Sequence, residues 1–169
     1  VMDVMMHGLD EVLDLVGEEL EGVDAVGGVV VGPHEDFVSA RLRFPGGCVA
    51  DVTASRMSRR QERLVRVFAE GVYMKMDYAE RRVEMLSPSP DLRRRLENGT
   101  LAGAGMDALV TTESIPVETE PDALRAQLAA FLDAVRTGAE PAVTLDDGVR
   151  AVELAERILD GVGSVPNDE

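Results

Sequence analysis

The chain has 169 residues, a 45% apolar share, only 4% aromatics and no tryptophan, so one ordinary domain with a core of Val, Leu, Ala and Met is the expectation. A net charge of −15 argues against nucleic acid and against anionic membrane surfaces, both of which need clustered Lys and Arg. The single cysteine, Cys48, excludes an internal disulfide.

Residues 2–16 carry an apolar stripe of Met2, Met5, Met6, Leu9, Val12, Leu13 and Val16 at helical spacing, with Gly17 as the C-terminal stop. Asp3, His7, Asp10, Glu11 and Asp14 lie off that stripe. Gly8 costs about 1 kcal/mol in a helix relative to Ala, which suggests close approach by another segment or a ligand. From residue 23 the period changes to two. Strands are expected over 23–31, 37–44, 48–55, 63–68, 72–77, 81–86 and 109–117. Pro45-Gly46-Gly47 and Glu70-Gly71 mark tight turns between consecutive strands, hence antiparallel pairing. Cys48 falls in the third of these runs and is expected to be a buried, inert thiol.

Ser87-Pro-Ser-Pro90 interrupts the strands, residues 91–107 have no clear pattern, and Asn98-Gly99-Thr100 reads as a turn. A helix over 121–136 starts at Pro121 and aligns Leu124, Leu128, Phe131, Leu132 and Val135 before Gly138. Thr144-Leu-Asp-Asp147 resembles a capping box with Asp in place of Glu, opening a last helix that runs to Gly161. Val165–Glu169 reads as a frayed tail. Helix, strands, then two helices imply an α+β fold: a mainly antiparallel, open-faced sheet with helices packed on one face. The other face must meet solvent or a partner, and its mixture of Arg, Lys and Thr with Val and Met suits an oligomer interface.

The charge is unevenly spread. Residues 41–97 hold 13 of the 17 basic residues against 8 acids, so the remainder is strongly acidic. Arg56, Arg59, Arg60, Arg63 and Arg66 could hold a phosphate or carboxylate, or serve as surface arginines. Asp3 and His7, four residues apart on a helix, share one face. A carboxylate there can orient an imidazole that exchanges a proton with a hydroxyl or carbonyl, and Asp10 is within reach. The alternative is a helix with ordinary surface acids and a half-buried histidine. No convincing metal cluster, nucleophile elbow, phosphate loop or Gly-x-Gly-x-x-Gly fingerprint is present, so no metal is expected. No apolar run reaches transmembrane length and no leader pattern is seen, so a cytoplasmic location is expected.

The opening Asp3-Val-Met-Met-His7-Gly-Leu-Asp10 with Leu15-Val16-Gly17 resembles the catalytic helix of the Gfo/Idh/MocA oxidoreductases, the glucose–fructose oxidoreductase and inositol dehydrogenase family. His34-Glu-Asp36, Ala40-Arg-Leu-Arg-Phe44 and Gly47 resemble their first hairpin. Thr53-Ala-Ser-Arg56, Arg63, Gly71 and Asp77-Tyr78 resemble the next strands. Glu120-Pro121, Phe131-Leu132, Val135-Arg-Thr-Gly138, Glu140-Pro141, Thr144, Asp147-Gly148 and Ala151 resemble the closing helices. The resemblance implies the dihydrodipicolinate-reductase-like C-terminal domain of a longer polypeptide. Its missing N-terminal Rossmann domain would bind NAD or NADP and supply a catalytic lysine, and the fragment alone would be inactive. Asp3 and His7 become the catalytic candidates, and Asp10 and Arg56 substrate-binding candidates. The substrate would be a polyol, sugar, nucleotide sugar or cyclitol, and a homo-oligomer would form through the open sheet. Gly8 departs from the family, many of whose members carry Asp there. Two other readings compete: a non-catalytic ligand-binding or dimerisation module with the same fold, and an acid–base enzyme that needs no cofactor.

Overall fold

The computed structural model describes residues 1–59, 62–100, 103, 105–117 and 122–163. Arg60, the Glu120-Pro121 pair with its first-turn proline, and the Val165–Glu169 tail lie outside them. The chain divides into two compact units, one holding Val1–Arg59 with the segment from Leu124 onward, the other spanning Arg60–Ala123.

In the first unit, helix α1 (Met2–Val16) precedes strands β1 (Gly22–Gly28), β2 (Phe37–Arg43) and β3 (Val49–Ser55), which form an antiparallel sheet in that order. Helices α4 (Ala123–Thr137) and α5 (Leu145–Gly163) follow later in the chain. The alternation expected for β2 is present: Val38, Ala40 and Leu42 are buried, and Phe37, Arg41 and Arg43 are exposed. α1 and α5 both pack on the inner face, α1 over β3 and α5 over β1. Met5 and Leu9 meet Val38, Ala40, Leu42 and Phe44 of the sheet and Leu154, Ala155 and Ile158 of α5. Burial of these side chains, about 1.5–3 kcal/mol each, is the main force holding α1 in place.

The outer face of this sheet is a self-satisfied polar ladder. Ser39 and Thr53 hydroxyls bond at 3.0 Å, and Arg41 grips Asp51 with two hydrogen bonds of 2.7 and 2.8 Å. Arg43 pairs with Asp24. The Arg41 bond lowers the Asp51 carboxyl below the usual carboxylate range.

Gly17 ends α1 as expected, with φ 65° and its N–H bonded to the Leu13 carbonyl at 3.0 Å. The capping box is also realised. The Asp147 carboxylate accepts from the Thr144 N–H at 2.8 Å and hydroxyl at 2.6 Å, while the Asp147 N–H donates back to Thr144 Oγ1 at 3.2 Å. These bonds pull the Asp147 carboxyl down to about 2.

The second unit holds a four-stranded antiparallel sheet, β4 (Leu64–Ala69), β5 (Val72–Asp77), β6 (Arg82–Pro88) and β7 (Val110–Ile115), in sequence order. Val65, Val67, Met74, Met76, Val83 and Met85 share one face through the pairs Val65↔Met76, Val67↔Met74, Met74↔Met85 and Met76↔Val83. Among the described residues of this unit none is fully buried. The 91–107 stretch contributes two short helices, α2 (Leu92–Glu97) and α3 (Met106–Leu109), too short to leave a periodic pattern in the sequence. Asp91 at the start of α2 pairs with Arg94 and Arg95. Asn98–Thr100 is a turn, with Gly99 at φ 63°.

The α+β class with open antiparallel sheets stands, with three differences of detail. The strands pair as two sheets, because no ladder joins β3 to β4 among the described residues. The first strand stops at Gly28, since the N–H groups of Val30 and Val31 bond to the Asp36 carboxylate. Cys48 is exposed, because the β2–β3 turn extends through it: Gly47 N–H closes on Phe44 O at 3.0 Å, and β3 starts one residue after the cysteine.

Candidate functional site

α1 runs antiparallel to β3. Its C-terminal end is tied down where Glu18 accepts the Gly46 N–H at 2.8 Å, at the β2–β3 turn. Its middle lies over mid-strand, where a Cβ on Gly8 would sit 3.5 Å from Val52 Cγ1. The first turn of α1 therefore lies toward the Ser55 end of β3, the end where the β1–β2 connection and Arg56 are found.

Asp3 and His7 are both exposed on this anchored helix, and Asp10 is half-buried. Neither Asp3 nor His7 is engaged in a hydrogen bond or ion pair with another described residue, so both are available to a ligand. They share a face by spacing, and no hydrogen bond joins them in this structure. Asp10 lines a small cleft of about 100 Å³ with Glu11, Leu13 and Asp14 of α1 and Val143, Asp147 and Arg150 of the α5 region. The cleft is acidic, and Arg150 pairs with Asp147 at its rim. Among the described residues no group of three or more His, Cys, Asp or Glu side chains is placed to hold a metal ion.

Arg56 has an intramolecular partner that its position in the sequence did not reveal. Its Nε pairs with Asp36, whose side chain is completely buried. A second nitrogen, Nη2, donates to the His34 carbonyl at 3.4 Å. Asp36 Oδ2 also accepts the N–H groups of Val30 and Val31, each at 2.6 Å, and of Gly32 at 3.2 Å. The Val31 and Val30 bonds, more than the arginine, hold the carboxyl far below the usual carboxylate range despite burial. The sequence placed Asp36 only within the His34-Glu-Asp36 segment that resembles the family's first hairpin, and gave its carboxylate no role. The signal was its place directly before a strand, five residues after the end of a run of valines whose amides needed acceptors. Of the remaining arginines, Arg63 stacks over the Tyr78 ring, 4.5 Å from its centroid, and Arg66 pairs across the ladder with Lys75.

Both described sheets are antiparallel, and no strand–helix–strand unit with a phosphate-binding turn occurs among the described residues. No described helix is long and apolar enough to cross a membrane.

Residues 1–74 match the family model described as the GFO/IDH/MocA C-terminal domain. The UDP-N-acetylglucosamine 3-dehydrogenase of Acidithiobacillus ferrooxidans is 30% identical over 135 residues, which is 80% of this chain and 39% of that protein. Its solved structure superposes with a TM-score of 0.79 at 27% identity, over 94% of this chain and 47% of that one. Levoglucosan dehydrogenase in complex with NADH and levoglucosan shares the fold at a TM-score of 0.73 and 18% identity, over 95% of this chain and 47% of that one. An aldose–aldose oxidoreductase from Caulobacter crescentus complexed with glycerol does so at 0.69 and 21%, over 94% and 44%. The chain thus spans less than half the length of these relatives. It resembles the GFO/IDH/MocA C-terminal domain in sequence over its first 74 residues, and shares the fold of these oxidoreductases over 94% of its length.

Proposed function

We propose that this chain is the substrate-binding part of a longer NAD(P)-dependent dehydrogenase that oxidises a hydroxyl of a sugar, nucleotide sugar or cyclitol. The observation that carries the reading is the exposed Asp3–His7 pair on α1, inside the segment that matches the family. His7 accepts the proton of the substrate hydroxyl, and Asp3, one turn earlier, orients the imidazole and stabilises its charged form. Asp10 lies one turn after His7 and is offered to neighbouring hydroxyls. The dinucleotide, held by the N-terminal part of the full-length polypeptide, supplies the hydride acceptor. This chain's contribution is to take up the hydroxyl proton and to bind the sugar. The 30% sequence identity to a UDP-N-acetylglucosamine 3-dehydrogenase makes nucleotide sugars the first substrates to try.

The open sheet of the second unit is proposed as the surface through which copies associate. Its apolar face of Val and Met is nowhere fully buried, and on the opposite face Phe68, 77% exposed, stacks on Tyr73 with ring centroids 4.8 Å apart. A cytoplasmic location is proposed for the enzyme, in keeping with the chain's net charge of −15.

The test is to express the full-length polypeptide and follow NAD(P)H formation at 340 nm with nucleotide sugars, free sugars and cyclitols. Turnover with one class supports the reading. Binding of dinucleotide without oxidation of any hydroxyl substrate replaces it with the ligand-binding module. Turnover by the 169-residue chain alone would favour cofactor-free acid–base chemistry.

A further inference from the structure

The β1–β2 connection, residues 29–36, is built in an unusual way. It exposes three successive valines: Val29 is 58% exposed, Val30 59% and Val31 76%. Such residues favour strands and interiors. Here their backbone is instead bound to a buried carboxylate. Asp36 Oδ2 takes the amides of residues 30, 31 and 32, and Asp36 Oδ1 pairs with Arg56 Nε. The main chain closes the arrangement: Asp36 N–H donates to Gly28 O at 2.8 Å, and Arg56 N–H to Asp36 O at 3.0 Å. Gly32 leaves room for the Arg56 guanidinium, which a Cβ at that position would meet.

Burying a charge is costly unless it is fully paired. A surface loop that needed only to connect two strands could do so with a two-residue turn. Rigid loops beside a scaffold edge are where binding contacts concentrate. This loop sits at the end of the sheet toward which the first turn of α1 points, the turn that carries Asp3, with His7 one turn further along. We propose that Asp36 and Arg56 are positioning residues that fix Val29–Val31 as an apolar lip against which the C–H face of the sugar substrate packs. The inference rests on the dehydrogenase reading and adds to it the wall that faces the non-reacting part of the substrate. Arg56 then acts through Asp36 on the loop, and its own contact with substrate is not required.

The test uses the full-length enzyme and steady-state kinetics at saturating dinucleotide. Val31→Ser removes apolar surface from the most exposed valine and touches none of the bonds that hold the loop. It should raise KM for the sugar substrate about fivefold, the effect of losing one to two methyl contacts, with kcat within about twofold and an unchanged melting temperature. Asp36→Asn keeps the shape but loses the charge, and should raise KM at least as far by loosening the whole loop. A Val31→Ser enzyme with wild-type KM overturns the lip, whatever Asp36→Asn does to folding. If both variants lower kcat and leave KM alone, the loop serves the reacting centre instead and the proposal is again wrong. A wild-type enzyme that oxidises no sugar, nucleotide sugar or cyclitol overturns the dehydrogenase reading itself, and the lip with it.

Discussion

Gly8 sits one residue after His7 on the helix that carries the site, and the structure predicts what an alanine there would do. Helical Gly→Ala substitution gains about 1 kcal/mol from backbone entropy. The new methyl group would meet Val52 Cγ1 at 3.5 Å, an ordinary van der Waals contact that displaces nothing. Gly8 is half-buried, so the added carbon contributes at most ~0.8 kcal/mol more. The net expectation is a gain of about 1–1.5 kcal/mol. Urea denaturation followed by far-UV circular dichroism should show a midpoint raised by ~0.5 M at an unchanged slope. A matched control is Gly27→Ala in β1, where the added Cβ would lie 2.9 Å from both the Phe37 carbonyl oxygen and Val162 Cγ1. Backbone and a packed helix must both shift there, so a loss of about 1–3 kcal/mol is expected. If Gly8→Ala lowers the midpoint, α1 lies closer to β3 than described, and the placement of His7 on an exposed, anchored face is wrong.

Three further outcomes follow from the same geometry. Thr144→Ala removes the hydroxyl of the α5 capping box and should cost about 1 kcal/mol at neutral pH. The Asp147 carboxyl it serves is lowered from 3.8 to about 2 in the folded chain, so its stabilising effect is complete above the ordinary carboxylate value and is lost as pH falls toward 2. Acid titration of stability should therefore be shallower over that window in Thr144→Ala than in the wild type. Leu42→Ala empties a fully buried site between α1, α5 and the sheet and should cost about 2–5 kcal/mol by thermal or urea unfolding.

The helical period, a glycine stop and the capping box were readable because each is local: α1 ends at Gly17 and α5 opens on Thr144–Asp147 as their residues dictate. Strand alternation was equally plain in β2, where one face is core and the other is water. What the sequence hid depends on partners far along the chain. Val29–Val31 look like strand residues, and only the Asp36 carboxylate turns them into a loop. Arg56 looks like a free cation for a ligand until its pairing with Asp36 is seen. The stripe on α4 is present as spaced, yet Leu124, Leu128, Phe131, Leu132 and Val135 are each about half exposed or more, a result that spacing cannot foretell. At the site, the shared face of Asp3 and His7 was legible from four-residue spacing. The absence of a hydrogen bond between them was not, because a bond also depends on side-chain rotamers.

The central claim is that His7 handles the proton of a hydroxyl substrate. It is tested most directly by comparing kcat of the full-length wild type and His7→Asn, at saturating dinucleotide and sugar substrate, with circular dichroism to verify folding. His7 is exposed and outside the core, so the variant should fold normally and lose about 10²-fold or more in kcat. A folded His7→Asn enzyme that turns over at the wild-type rate would contradict the account.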